Sequence, residues 1–354
     1  MISSLNKFID SMEKLEKYIF GIKLQNNLLC DSQQGMKNLQ TNDKFQKFKK
    51  HYENFRIKKI FEYNTIVISI YGYLERYIED IIKEYLAIVN KIFKYYNDLP
   101  DAIKENHYDL SSQLIQNLKL SKYKSITSEN IIIKNLYLCS INDENYKINL
   151  DAYTQHTANF RQEEIKRFFS LVGVNNISHL IKHQPRFVDY LKSNRPEVDI
   201  SQTRDEIIYN VINDIAERRN EVSHGAIHEI VSKEILEDYI GFLKIYGKSL
   251  YDVLKCEILE YESEHIAKIL NKTIKIYDNQ IVIFELDKPK ISVGDRIIAK
   301  KNSMFPKYID GKIKELQING ENYNKISESE KIKIGMKVDF KVKDNYQLYL
   351  ISQN

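Results

Sequence analysis

The chain has 354 residues, with 53 Lys and Arg against 49 Asp and Glu, 11 Gly and 5 Pro. That length can hold two folded units, and a net charge of +4 does not by itself demand a nucleic-acid partner. Cys30, Cys139 and Cys256 lack CxxC or Cys/His ligand spacing, which argues against a disulfide framework or a structural zinc and points to a reducing cytoplasm. There is no signal-peptide core and no run of about 18 apolar residues, so a soluble intracellular protein with no membrane partner is expected.

Up to about residue 265 the apolar residues recur at three- and four-residue spacing, which predicts a helical domain over 1–266. In "TIVISIYGYLERYIEDIIKEYLAIVNKIFKYY" one stripe runs through Ile70, Leu74, Tyr77, Ile78, Ile81, Ile82, Tyr85, Leu86, Val89 and Ile92. Pro100 closes this stretch and can open the next helix. Shorter helices are expected around 111–121, 127–138 and 161–171. Residues 141–160 and 184–202, the latter containing Pro185 and Pro196, read as loops. "SQTRDEIIYNVINDIAERRNEVSHG" restarts the helical pattern, with Ser201 or Thr203 available as cap. After Gly225 a further long helix carries Ile235, Leu236, Tyr239, Ile240, Leu243, Tyr246, Leu250 and Leu254.

Near residue 273 the period falls to two. "KTIKIYDNQIVIFEL" and "KVDFKVKDNYQLYLIS" alternate apolar and polar residues around "DN" turns, and about seven short strands suggest a small closed or nearly closed barrel. The expected fold class is therefore α+β and multidomain: a mainly all-α unit, then a β-barrel over 267–354. From Lys268 onward 17 Lys and Arg face 11 Asp and Glu, so the β unit is the basic part.

"ERRNEVSHG", residues 217–225, carries the chemistry. On a helix Asn220 and His224 stand one turn apart on one face, while Arg219 lies about 140° from His224. For both to reach one phosphate, the helix must end near His224 or a second copy must complete the site. Gly225 suits a left-handed C-terminal cap. A His can give and take protons near neutrality, and an Arg fork fits phosphate oxygens. Together they can supply a base for a 2′-OH, an acid for the leaving 5′-oxygen and a cation for the phosphorane charge, so the substrate expected of such a site is RNA.

Blander readings stand beside this one. Arg218 and Arg219 also complement a helix C-terminus, and Arg218 has Glu217, Glu221 and Asp214 to pair with. Glu75 could bridge to Arg76, Lys83 or a neighbouring helix, or pair with Arg219 and shape the site. His228 could reach substrate or be a solvated loop residue. The pairs His179/His183 and His51/Glu53 lack a third ligand, so no metal and no cofactor is expected. There is no Gly-rich phosphate loop, nucleophile elbow, DxD or HExxH.

The Arg219-Asn220-x-x-x-His224 order, at the end of a long helix in an all-helical domain, resembles the nuclease members of the HEPN superfamily, over roughly residues 45–257. Glu75 in "IYGYLERYIED" matches an acidic position of related bacterial domains. The resemblance implies an endoribonuclease working as a homodimer and leaving 2′,3′-cyclic phosphate and 5′-hydroxyl ends. It also implies toxin–antitoxin or antiviral defence biology with an antitoxin or activator partner. Arg219 would hold phosphate, Asn220 support the geometry and His224 act as acid or base, with Arg218 and His228 on substrate. The alternative is a non-catalytic HEPN-like module binding RNA or protein. More loosely, "ISVGDRIIAKK", "GKIKELQINGE" and "IKIGMKVDFKV" resemble the second, β-barrel domain of Tu-type translation elongation factors; the basic charge of this unit suggests contact with RNA or a ribonucleoprotein, and a dimerisation or partner module is the other reading.

Overall fold

The computed structural model describes all residues except 32–42, 55–57, 121–122, 124–125, 157–158, 226–228, 272, 304 and 353–354. The helical unit contains α1 (Ile2–Asp31), α2 (Asp43–Asn54), α3 (Lys58–Ile92), α4 (Asp101–Asn117), α5 (Glu129–Ser140), α6 (Gln162–Leu171), α7 (Ile177–Lys182), α8 (Pro185–Asn194), α9 (Asp205–Ile208), α10 (Asn210–His224) and α11 (Lys233–His265).

The central element is α3. Its stripe is too wide to be covered by one neighbour: Ile66, Ile70, Leu74, Ile78, Ile81, Ile82, Tyr85, Leu86 and Val89 are all fully buried. It packs against α1, α10, α11 and the short 3-10 turn Leu150–Thr154. Burial on several sides outweighs helix propensity here, because β-branched Ile and Val are only average helix formers.

Two local expectations are corrected. Residues 184–202 are not all loop, since Pro185 opens α8 at its first turn, where a missing N–H costs nothing. The pattern from 201 onward is not one helix: α9 starts after Arg204, which caps it without a side-chain bond, and the chain breaks at Tyr209 before α10. Ser201 instead binds the Asp199 carboxylate through its N–H and hydroxyl, at 2.9 and 2.7 Å, so it forms a turn rather than the cap.

Two residues, Ile266 and Ala267, separate α11 from the β unit. Its strands are β1 (Lys268–Ile269), β2 (Lys275–Tyr277), β3 (Ile281–Leu286), β4 (Lys290–Ser292), β5 (Arg296–Lys300), β6 (Tyr308–Ile318), β7 (Glu321–Tyr323), β8 (Lys325–Ser327), β9 (Ile332–Val338) and β10 (Gln347–Ile351). They form an antiparallel curled sheet in the order β1-β10-β5-β6-β9-β3-β2, with β7 beside β6 and a separate β4–β8 pair. The expected small barrel is thus a half-barrel: β1 and β2 end the path and do not pair with each other. Alternation puts Val282, Phe284 and Leu286 of β3 against Ile334, Met336 and Val338 of β9 in its core.

A small apolar cluster of Leu259, Ile298 and Tyr308 joins α11 to the sheet. Around it Lys255 reaches Asp310 at 2.6 Å, and Arg296 holds both Asp310 and Glu262.

Candidate active site

α10 buries Val211, Ile212, Ile215 and Ala216 against the core, and that face decides where the motif residues point. At about 100° per residue Arg219 lies close to the azimuth of Ile215, and His224 nearly opposite it. Arg219 and Asn220 are accordingly half-buried, and His224 is exposed. Gly225 ends the helix with φ 67°, and its N–H donates to the carbonyls of Glu221 and Val222. The stretch is a capped helix terminus in which Arg219 and Asn220 are in contact and His224 stands apart, exposed.

The guanidinium carbon of Arg219 lies 5.2 Å from the centre of the Tyr71 ring on α3, and its Nη1 donates to Asn220 Oδ1 at 3.5 Å. Asn220 Oδ1 also accepts from Asn159 Nδ2. Tyr71 OH donates toward Asn159 Oδ1 at 3.3 Å and Glu75 Oε1 at 3.4 Å, and accepts the Phe160 N–H at 2.9 Å. Burial, and then the Glu75 carboxylate beside it, push the Tyr71 hydroxyl up to about 12, so it stays a donor at neutral pH. His224 has no hydrogen bond to any of the described residues.

Glu75 is brought to the site, though it makes no ion pair with Arg219. Its contacts are Tyr71 OH and, at 3.7 Å, His156 Nε2; His156 is mostly buried and binds Glu79 at 2.8 Å. The bridges suggested from sequence go elsewhere: Lys83 pairs with Asp151 and Arg76 with Asp80. Arg218 is not brought to Arg219. Its Nε donates to Asp214 at 2.7 Å and its Nη1 to Tyr63 OH at 3.2 Å. Burial works against the Arg218 charge, but these hydrogen bonds outweigh it and hold the cation above its ordinary value. His228 lies outside the described residues.

Tyr71, Glu79, His156 and Asn159 belong to the site without standing out in the sequence. For two of them a signal existed, since Tyr71, Glu75 and Glu79 recur every four residues as a polar line along an apolar helix. His156 and Asn159 arrive on a loop after the Leu150–Thr154 turn, and no spacing announces them. No group of three His, Cys, Asp or Glu able to hold a metal occurs among the described residues.

The helical unit is built around the buried α3, with Arg219 and Asn220 of α10 brought to its Tyr71 and to Asn159. The RiboL-PSP-HEPN family model matches residues 36–256, more than half of the chain, and the chain is a member of that family. No curated protein and no solved structure matches it. Among the described residues, no helix is long and apolar enough to cross a membrane.

Proposed function

We propose that this chain is a HEPN-type endoribonuclease that cleaves RNA without a metal, by attack of a 2′-OH on the adjacent phosphate. The observation that carries this reading is the half-buried Arg219, held over Tyr71 and against Asn220 one turn before an exposed His224. Arg219 would bind the scissile phosphate, whose charge grows in the transition state. His224, unengaged by the described residues, would take the 2′-OH proton or give one to the leaving 5′-oxygen. One imidazole per chain cannot do both at once, which supports a homodimer that brings two His224 residues to one phosphate.

RNA is the proposed partner, with an antitoxin or activator controlling a toxin or phage-defence effector in the cytoplasm. The basic charge of the β unit supports a role in choosing the RNA.

The test is cleavage of total RNA by purified wild type, Arg219→Ala and His224→Ala in EDTA, with end-group analysis. The expected result is 2′,3′-cyclic phosphate ends from the wild type and a loss of about 10²–10⁴-fold in His224→Ala. Equal cleavage by all three proteins would sink the assignment and favour a binding module.

A further inference from the structure

Between Arg219 and Phe160 runs a chain of hydrogen bonds whose direction is set at both ends. A guanidinium carries only donors, so the Asn220 atom that faces Arg219 Nη1 at 3.5 Å must be the amide oxygen. That same oxygen faces Asn159, which must therefore present its NH2. The Asn159 oxygen is then turned to Tyr71 OH, 3.3 Å away. At the far end the buried Phe160 N–H donates to the Tyr71 oxygen, which leaves the hydroxyl proton to point outward, toward Asn159 and Glu75.

The consequence falls on Asn220. Its oxygen takes two donors, from Asn159 and Arg219, so its NH2 points away from both. No acceptor for that NH2 exists among the described residues, and Asn220 shares a helix face with His224 one turn on. A swapped amide would set NH2 against the Arg219 fork, donor against donor.

We infer that Asn159 is a positioning residue: by holding the Asn220 oxygen it presents the Asn220 NH2, beside Arg219, to a phosphate oxygen of the RNA. This rests on the ribonuclease reading of the motif. Asn159 does not touch substrate and acts through Asn220. Asn159 thereby sets the orientation of the site's second phosphate donor.

The experiment is a double-mutant cycle on the full chain, read by binding of an RNA carrying a 2′-deoxy nucleotide at the scissile position and by cleavage of the all-ribo strand. Asn159→Ala is expected to weaken both about tenfold, the worth of one hydrogen bond to a charged group. In an Asn220→Ala background the same change is expected to cost less than about twofold, because the group it positions is gone. A merely structural role would cost the same in both backgrounds, and that outcome overturns the inference. Asn159→Asp is the isosteric second variant: with only acceptors it turns the Asn220 NH2 inward, so it must bind at least as weakly as Asn159→Ala, and wild-type binding by it also overturns the inference. Arg219→Ala separates the two levels. If it binds and cleaves like wild type, the ribonuclease reading falls and takes this inference with it; if it is impaired while Asn159→Ala is not, the inference alone falls.

Discussion

Arg219 lies over the face of the Tyr71 ring, 5.2 Å from its centre, while the hydroxyl at the edge of that ring accepts the buried Phe160 N–H at 2.9 Å. One side chain of α3 thus supports both the cation and the loop that carries Asn159. Tyr71→Phe separates these roles, since the ring face remains and the acceptor is lost. Leaving the Phe160 N–H unsatisfied should cost about 1–3 kcal/mol, seen as a lower urea midpoint at unchanged slope. An unchanged midpoint would mean that this N–H finds another acceptor.

His107 and Glu257 give the fold opposing pH dependences. Burial lowers His107 to about 4, where its Nε2 accepts the Asn149 N–H at 3.0 Å. The unfolded chain protonates this His at its ordinary 6.5, so the stability it contributes is complete above that pH and is lost as pH falls from 6.5 toward 4, by about 3 kcal/mol. Glu257 behaves in the reverse sense. Burial, then repulsion from Glu260, raises it from 4.5 to about 7 against the pull of Lys307. The folded state keeps that proton longer, so stability falls as pH rises from 4.5 to about 7. Glu257 is only half-buried, which reduces its share to about 1–2 kcal/mol. Urea titrations between pH 4.5 and 7 should find Glu257→Gln gaining stability with pH more steeply than wild type, and His107→Gln losing it. Parallel profiles for all three proteins would contradict both assignments.

The features legible in the sequence are those that depend on neighbours along the chain. The α3 stripe, the change of period near residue 273 and the Gly225 cap are local, and all three are present in the structure. Pro185 misleads because a proline ends a helix or begins one according to the residues after it, and α8 is too short for its stripe of Phe187 and Leu191 to stand out. His156 and Asn159 could not be reached from sequence. Each matters only because packing of the Leu150–Thr154 turn on α3 delivers the next residues to Glu79 and Asn220, a contact made across 77 positions in one case and 61 in the other.

Gly247 lies in the middle of α11, where helix propensity alone would favour Ala by about 1 kcal/mol. The structure reverses that sign. A Cβ there would stand 2.8 Å from the Phe8 ring of α1, which is itself stacked on Tyr77 at 4.4 Å, and Tyr77 OH donates to the Gly247 carbonyl at 2.7 Å. Neither ring can retreat without leaving the other. Gly247→Ala should therefore destabilise by about 1–3 kcal/mol, measured by thermal or urea unfolding. A stabilised variant would show that α1 can shift on this face.

Arg296 of β5 joins the two units by holding Glu262 of α11 through both Nη atoms, at 2.8 and 2.6 Å, and Asp310 of β6 through Nε at 2.9 Å. Removing the cation takes a partner from two largely buried carboxylates. Lys255 still answers Asp310, but Glu262 loses its partner. The cost of Arg296→Ala should be about 1–3 kcal/mol, lowered from the fully buried case by the partial exposure of Arg296. Because most of that cost comes from the stranded carboxylate, neutralising it should restore stability. Arg296→Ala with Glu262→Gln is expected to be more stable than Arg296→Ala alone, although it has lost a second native group. Limited proteolysis gives the structural readout. Cleavage in the connection between α11 and β2 should be fastest in the single variant, slower in the double variant and slowest in the wild type. If the double variant is cut as fast as the single one, the apolar cluster of Leu259, Ile298 and Tyr308 does not hold the units together without the ion pair.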